Sequence, residues 1–181
     1  MTQISVPDAE SLYRKLLDQA QALIPEPERA RWSVAGIHSG GAWIAARLAA
    51  DLQLPDHGVI NVAFHRDDYA KKGLHSQAQP TTLPFAVDDR NILLIDDVLA
   101  TGRTIRAAVN ELFDYGRPAR VALGVLVDRG GRQLPIAADL CAAEMALPPG
   151  TTLVLSRQGE GADAQFAFAT EPTEPTDSAT G

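Results

Sequence analysis

Ile92-Leu93-Leu94-Ile95 is an unbroken apolar run that ends in two adjacent carboxylates, Asp96 and Asp97. The small-residue stretch Val98-Leu99-Ala100-Thr101-Gly102-Arg103-Thr104 follows directly. A short apolar run bounded by turn signals reads as a buried strand, so Asn91 to Ile95 is expected inside a sheet. In parallel α/β sheets, ligands bind beyond the carboxyl ends of the strands, which is where the two acids fall. The turn from Ala100 to Thr104 opens the next helix, and the free N–H groups of a helix start can converge on a phosphate. An acid pair a few residues from a phosphate cradle suits a sugar phosphate, with carboxylates for ribose hydroxyls and amides for a 5′-phosphate. A strand ending in two acids also fits a nucleotide-hydrolase metal strand, but the chain has no G-x-x-x-x-G-K-[ST] loop to accompany it. The acidic pocket of a receiver domain would follow the first strand, not sit in mid-chain. A purely structural strand-to-helix turn is the remaining alternative.

The rest of the chain alternates strand and helix patterns. Asp8 is placed to cap a helix running to about Ala22, with Leu12, Leu16, Leu17 and Ala20 at helical spacing and Pro25 beyond its end. Trp32 to Ile37 reads as the first core strand, broken by Gly40-Gly41, and Ala42 to Leu52 as a helix. Val59 to Phe64 is expected as the second strand and Val121 to Val127 as the fourth. Ile105, Val109, Leu112 and Phe113 are expected to form one apolar helix face, which Gly116 ends. Thr152 to Leu155 and Gln165 to Phe168 read as short closing strands. Residues 66–84 lack apolar periodicity and read as a long loop or a mobile hairpin, of the kind that is usually functional or disordered. Glu171 to Gly181 lacks apolar anchors and is expected to be a disordered tail. The fold class implied is α/β, a mostly parallel sheet flanked by helices within one domain over residues 1–170.

With 181 residues and 45% apolar content, one domain with a sizeable core is feasible. No run approaches membrane-spanning length and no charged-then-apolar leader opens the chain. The single cysteine, Cys141, has no internal disulfide partner, which fits a reducing, cytoplasmic setting, and packing is its expected role. A net charge of −7 opposes nucleic-acid binding unless basic residues cluster locally.

The run from Ile92 to Thr104 resembles the phosphoribosyl-diphosphate (PRPP) signature of type I phosphoribosyltransferases. Three flanking segments narrow the resemblance to the PyrR family, which regulates pyrimidine operons and carries uracil phosphoribosyltransferase activity. They are Phe64-His65-Arg66-Asp67-Asp68, Asn110 to Pro118, and Val125-Leu126-Val127-Asp128-Arg129-Gly130 with Arg132-Gln133-Leu134-Pro135-Ile136. The resemblance covers about residues 8–140. It implies a type I fold with a small hood at about 128–150 and a flexible lid at about 66–84.

On this resemblance, Asp96 and Asp97 contact the ribose hydroxyls, directly or through Mg²⁺ that is held mostly by waters and substrate. Val98 to Thr104 (Val98, Leu99, Ala100, Thr101, Gly102, Arg103, Thr104) form the phosphate loop. Arg103 is equally readable as a solvated residue that serves through its backbone. Ser39, Gly40 and Gly41 correspond to the diphosphate loop, where family members often carry Thr-Arg-Gly. Arg66 is the implied catalytic cation, with Lys71 and Lys72 in the lid or simply solvated. Asp128 and Arg129 belong to the base-binding hood. After Asp139 the chain departs from the family's Gly-Lys-Asn-Ile-Pro stretch, so base contacts are not carried over there. Ala100 stands where purine enzymes usually carry an aspartate that handles a ring proton, which favours a pyrimidine.

Three functions follow from the resemblance. The first is transfer of phosphoribose from PRPP to uracil, giving UMP and diphosphate, with a role in regulating pyrimidine synthesis. The second is a non-catalytic or weakly catalytic, nucleotide-sensing regulator that binds pyrimidine-operon messenger RNA, with Arg117, Arg120, Arg129 and Arg132 as the candidate basic surface. The third is a transferase for another base or a thiolated analogue. The family also implies a homodimer or a higher homo-oligomer.

Overall fold

A computed structural model describes residues 5–62 and 80–173. Helix α1 (Ala9–Leu23) is capped by Asp8, whose carboxylate accepts the Ser11 N–H at 3.3 Å. Strand β1 (Trp32–Ile37) leads into α2 (Gly40–Asp51), and β2 (Gly58–Ile60) follows. Strand β3 (Asn91–Leu99), helix α3 (Arg103–Tyr115) and strand β4 (Arg120–Asp128) form the central unit. The chain closes with β5 (Leu140–Glu144), β6 (Thr151–Gln158) and β7 (Gln165–Pro172).

The main sheet has the order β2-β1-β3-β4-β5, and every pairing in it is parallel. Successive residues of a strand face opposite sides, and β3 splits its apolar run accordingly. Leu93 and Ile95 join the layer under α1 and α2, while Ile92 and Leu94 join the layer under α3. Both layers are dry, which is why β3 reads as a continuous apolar run and not as an alternating one.

The antiparallel pair β6–β7 stands apart from the main sheet and covers the α1–α2 layer with Leu153, Leu155, Phe166 and Phe168. Arg47 on α2 ties it down. Its guanidinium lies 4.0 Å from the Tyr13 ring centroid and 5.4 Å from that of Phe166. It also donates to Glu10 at 2.8 Å and to the Ala164 carbonyl at 2.9 Å. Glu10 Oε1 accepts the Phe166 N–H at 2.7 Å, which joins the first helix to the last strand.

Several expectations are corrected. β3 does not stop at Ile95 but carries the acid pair within it, still in register with β4 as far as Leu99 opposite Asp128. Gly40 and Gly41 begin α2 and do not precede it. Residues 140–144, expected in the hood, form the edge strand β5, leaving 129–139 to cross the carboxyl end of the sheet. Glu171 and Pro172, expected in a tail, are paired in β7. Phe113 is not buried on α3; it is 41% exposed, beneath the Arg117 guanidinium. Only residues 80–84 of the expected lid and 59–62 of the expected second strand are described, with Val59 bridged to Thr82.

Candidate active site

The carboxyl end of β3 places its two acids on opposite sides. Asp96 is 8% exposed and, with Val98 to Gly102, Thr104 and Ile105, lines a small cavity of about 50 Å³. Asp97 turns toward α2. Its Oδ2 lies against Gly40, and an added β-carbon there would sit 2.5 Å away. Each carboxylate also accepts the next backbone N–H, Asp97 N at Asp96 Oδ1 and Val98 N at Asp97 Oδ1, both at 3.0 Å. These bonds fix the side chains along the strand.

The glycines of the loop between β1 and α2 let this packing occur. A β-carbon on Gly36 would overlap the Gly41 carbonyl, and one on Gly41 would overlap the Ile95 carbonyl. The loop therefore sits backbone to backbone against β3, with Ser39 exposed at its turn. The His38–Ser39 peptide is cis.

Beyond Leu99 the chain turns through Gly102, whose φ of 90° is a left-handed conformation that favours glycine. Ile136 and Leu134 press on it from outside. The first-turn amides of α3 have no acceptor within the helix, and Gly102, Thr104 and Ile105 line the small cavity. The expected phosphate-loop residues divide by what they can offer. Leu99 is buried in the core and reaches the cavity through its backbone. Arg103 turns its side chain outward, donating from Nε to Gln133 at 2.8 Å, while its N–H is held by the Thr101 hydroxyl at 3.2 Å. Neither the Arg103 side chain nor its N–H is left open toward the cavity in this arrangement.

A second, larger cavity of about 410 Å³ opens beside this loop at the ends of β4 and β5, lined by Asp128, Arg129, Gly130, Arg132, Glu144 and Met145. Asp128 and Arg129 were expected there. Glu144 and Met145 lie within the expected hood but were not singled out, because β5 is a short alanine-containing run with weak strand propensity. Arg132 was expected only on a basic surface, yet it forms part of this wall.

Among the described residues no three His, Cys, Asp or Glu side chains converge on a metal position. Either carboxylate is a hard oxygen donor that would suit a magnesium ion taking its remaining oxygens from substrate and water. Cys141 is no nucleophile candidate, since burial pushes its thiol pKa up and its Sγ donates to the Ala143 carbonyl. Arg66, Lys71 and Lys72 lie outside the described residues.

The four arginines proposed as a basic surface separate. Arg120 opens β4 and Arg129 follows its end, about 30 Å away at the usual strand rise. Arg120 pairs with Asp139 at 3.6 Å and lies over Trp32. Arg117 lies over Phe113, and Arg132 pairs with Asp128. Arg129 and Arg132 alone adjoin the larger cavity.

No helix among the described residues is long and apolar enough to cross a membrane. The family model for the phosphoribosyl transferase domain matches residues 8–142. The hypoxanthine phosphoribosyltransferase of Trypanosoma cruzi, in a ternary substrate complex, shares the fold with a TM-score of 0.59 at 18% identity, over 82% of this chain and 83% of that one. The bifunctional protein PyrR of Ralstonia nicotianae is 66% identical over 91% of this chain and 95% of its own length. That of Nitrosococcus oceani is 45% identical over 93% and 94%. With its parallel sheet, acid pair and phosphate-sized turn, the chain has the type I phosphoribosyltransferase fold and belongs to the PyrR family.

Proposed function

We propose that the chain transfers the phosphoribosyl group of PRPP to N1 of uracil, forming UMP and releasing diphosphate. The observation that carries this reading is the divergence of Asp96 and Asp97 from one strand end, one toward the phosphate-loop cavity and the other toward the glycine loop. A phosphoribosyl diphosphate needs both loops at once, because its 5′-phosphate and its diphosphate leave opposite sides of the ribose.

In the reaction, N1 of uracil forms a bond to C1′ as the C1′–O bond to diphosphate breaks, and the N1 proton leaves to the released diphosphate or to water. Positive charge develops on the ribose, and the two carboxylates stabilise it from fixed positions. The amides of the phosphate loop hold the 5′-phosphate and the glycine loop admits the diphosphate, so orientation contributes much of the catalysis. Asp96 or Asp97 would hold a magnesium ion, which would supply charge neutralisation for the diphosphate. The Ala100 methyl, at the rim of the small cavity, offers no proton acceptor to a purine and supports a pyrimidine.

The family's second role is read as nucleotide-dependent binding of pyrimidine-operon messenger RNA, for which Arg129 and Arg132 beside the larger cavity are the nearest cations. Such binding should weaken steeply with salt, and no binding at low salt would sink it. The exposed Phe113 and Tyr115 on α3 support a homodimer or larger homo-oligomer, which sedimentation would test.

The first test is UMP formation from uracil and PRPP with and without Mg²⁺, with hypoxanthine, orotate and thiolated bases as competitors. Mg²⁺-dependent turnover of uracil is expected. Binding of PRPP or UMP without turnover of any base would replace this reading with the nucleotide-sensing regulator.

A further inference from the structure

A loop that aims its amides at a phosphate turns its carbonyls the other way, and those carbonyls need partners of their own. Here one segment supplies nearly all of them. Arg129 N–H donates to the Leu99 carbonyl at 2.9 Å, and Gln133 and Leu134 N–H donate to that of Thr101 at 2.9 and 3.2 Å. The remaining inner carbonyl, that of Ala100, is bound by the Arg132 guanidinium. The same guanidinium pairs with Asp128 Oδ2 through its other terminal nitrogen. Asp128 is fixed in turn, since its Oδ1 accepts the Gly130 N–H at 2.9 Å and its carbonyl accepts the Met145 N–H at 2.9 Å.

Arg132 therefore spans two places: the back of the phosphate loop and the wall of the larger cavity. Its side chain is 26% exposed and that of Asp128 16%, so the pair is shielded enough for geometry to matter. A planar guanidinium can hold a carbonyl and a carboxylate in one fixed arrangement; an ammonium on a flexible stem cannot fix both.

We propose that Arg132 is a positioning residue for the phosphate loop, holding the Ala100 carbonyl outward so that the loop amides face the substrate phosphate before it binds. This rests on the proposed phosphoribosyl transfer, and it adds a residue that touches no reacting atom. Through Asp128 it also links the phosphate loop to the cavity proposed for the base. Substrate phosphate and base are then read by one connected piece of chain.

The test compares UMP with uridine, two ligands that differ in the phosphate alone, by calorimetry on the full chain and on Arg132→Lys and Arg132→Met. Affinity for UMP should fall at least about tenfold in Arg132→Met and by an intermediate factor in Arg132→Lys. Uridine affinity should fall by a clearly smaller factor than UMP affinity, because uridine meets the cavity wall that Arg132 shares but makes no contact with the loop amides. In turnover, KM for PRPP should rise more than kcat falls. Equal losses for UMP and uridine, or no loss for either, would overturn the proposal. Should Arg132→Met fail to fold, Arg132→Lys carries the same comparison. A parent chain that binds UMP but turns over no uracil would remove the enzymatic reading and leave the positioning role standing on the binding data. A parent chain that binds neither UMP nor PRPP would overturn both.

Discussion

Gly40 and Asp97 compete for one space: a β-carbon at residue 40 would lie 2.5 Å from Asp97 Oδ2 and 2.8 Å from its Cγ. The glycine of the loop and the acid of the strand are thus a single steric unit. Gly40→Ala should fold, because the obstructing atoms are the end of a side chain that can swing, but the swing moves a reacting-site carboxylate. A displacement of that kind is expected to lower kcat about a hundredfold. Gly41→Ala meets the Ile95 carbonyl, which is backbone and cannot swing. It should destabilise the fold by roughly 1–3 kcal/mol. Denaturant titration alongside steady-state rates separates the two, and equal behaviour of the variants would contradict the packing.

Asp97→Asn removes charge while keeping shape. With Asp97 half-buried and its Oδ1 bonded only to a neighbouring amide, the melting temperature should move by no more than about 2 °C. Turnover should fall about a hundredfold or more, by analogy with loss of one fixed stabilising group. Unchanged turnover would remove Asp97 from the mechanism.

The Glu10 cluster sets an acid limit. Burial tends to raise the Glu10 pKa, but the hydrogen bond and charge of Arg47 and the Phe166 N–H together leave it below the ordinary glutamate value. A carboxylate with a lowered folded pKa stabilises the protein above its unfolded pKa, and that contribution is lost as pH falls through the folded value. Stability should therefore decline below about pH 4.3 as Glu10 protonates. Glu10→Gln should flatten that part of the stability–pH curve, measured by denaturant midpoints, while leaving the curve above pH 6 parallel to the parent's.

Phe166 fills the space between the Tyr13 ring, at a centroid distance of 5.6 Å, and Arg47. Phe166→Ala should cost about 3–5 kcal/mol. Arg47 lies about two turns along α2 from Gly40, the residue that meets Asp97. Rates measured on the folded fraction should thus match the parent; a specific loss of kcat would mean that the β6–β7 pair shapes the site.

The central layout was legible because its signals are physical and local. The apolar run of β3, the Asp8 cap and the strand Trp32–Ile37 each follow from side chains within a few residues. What was not legible depended on partners distant in sequence. Asp96 and Asp97 remain in β3 because β4 continues to pair with them, a constraint absent from their own neighbourhood. Strand β5 has too little apolar bulk to announce itself and is specified by its register with β4, Gly124 to Leu140 through Asp128 to Glu144. Arg132 looked like a surface cation because nothing near it in sequence reveals that its guanidinium reaches a carbonyl on the opposite loop. Phe113 fits the helical spacing of an apolar face but falls at its rim, where Arg117 covers it instead of the sheet.

The bond from the Phe166 N–H to Glu10 spans 156 positions of chain. During synthesis the first helix emerges long before the strand that must cover it. Until that strand leaves the ribosome, Tyr13, Leu16 and the α2 face wait with apolar surface open to water. Covering of this layer thus has to wait for β7 to be made, and the interval before it is when nascent chains are most exposed to association with one another.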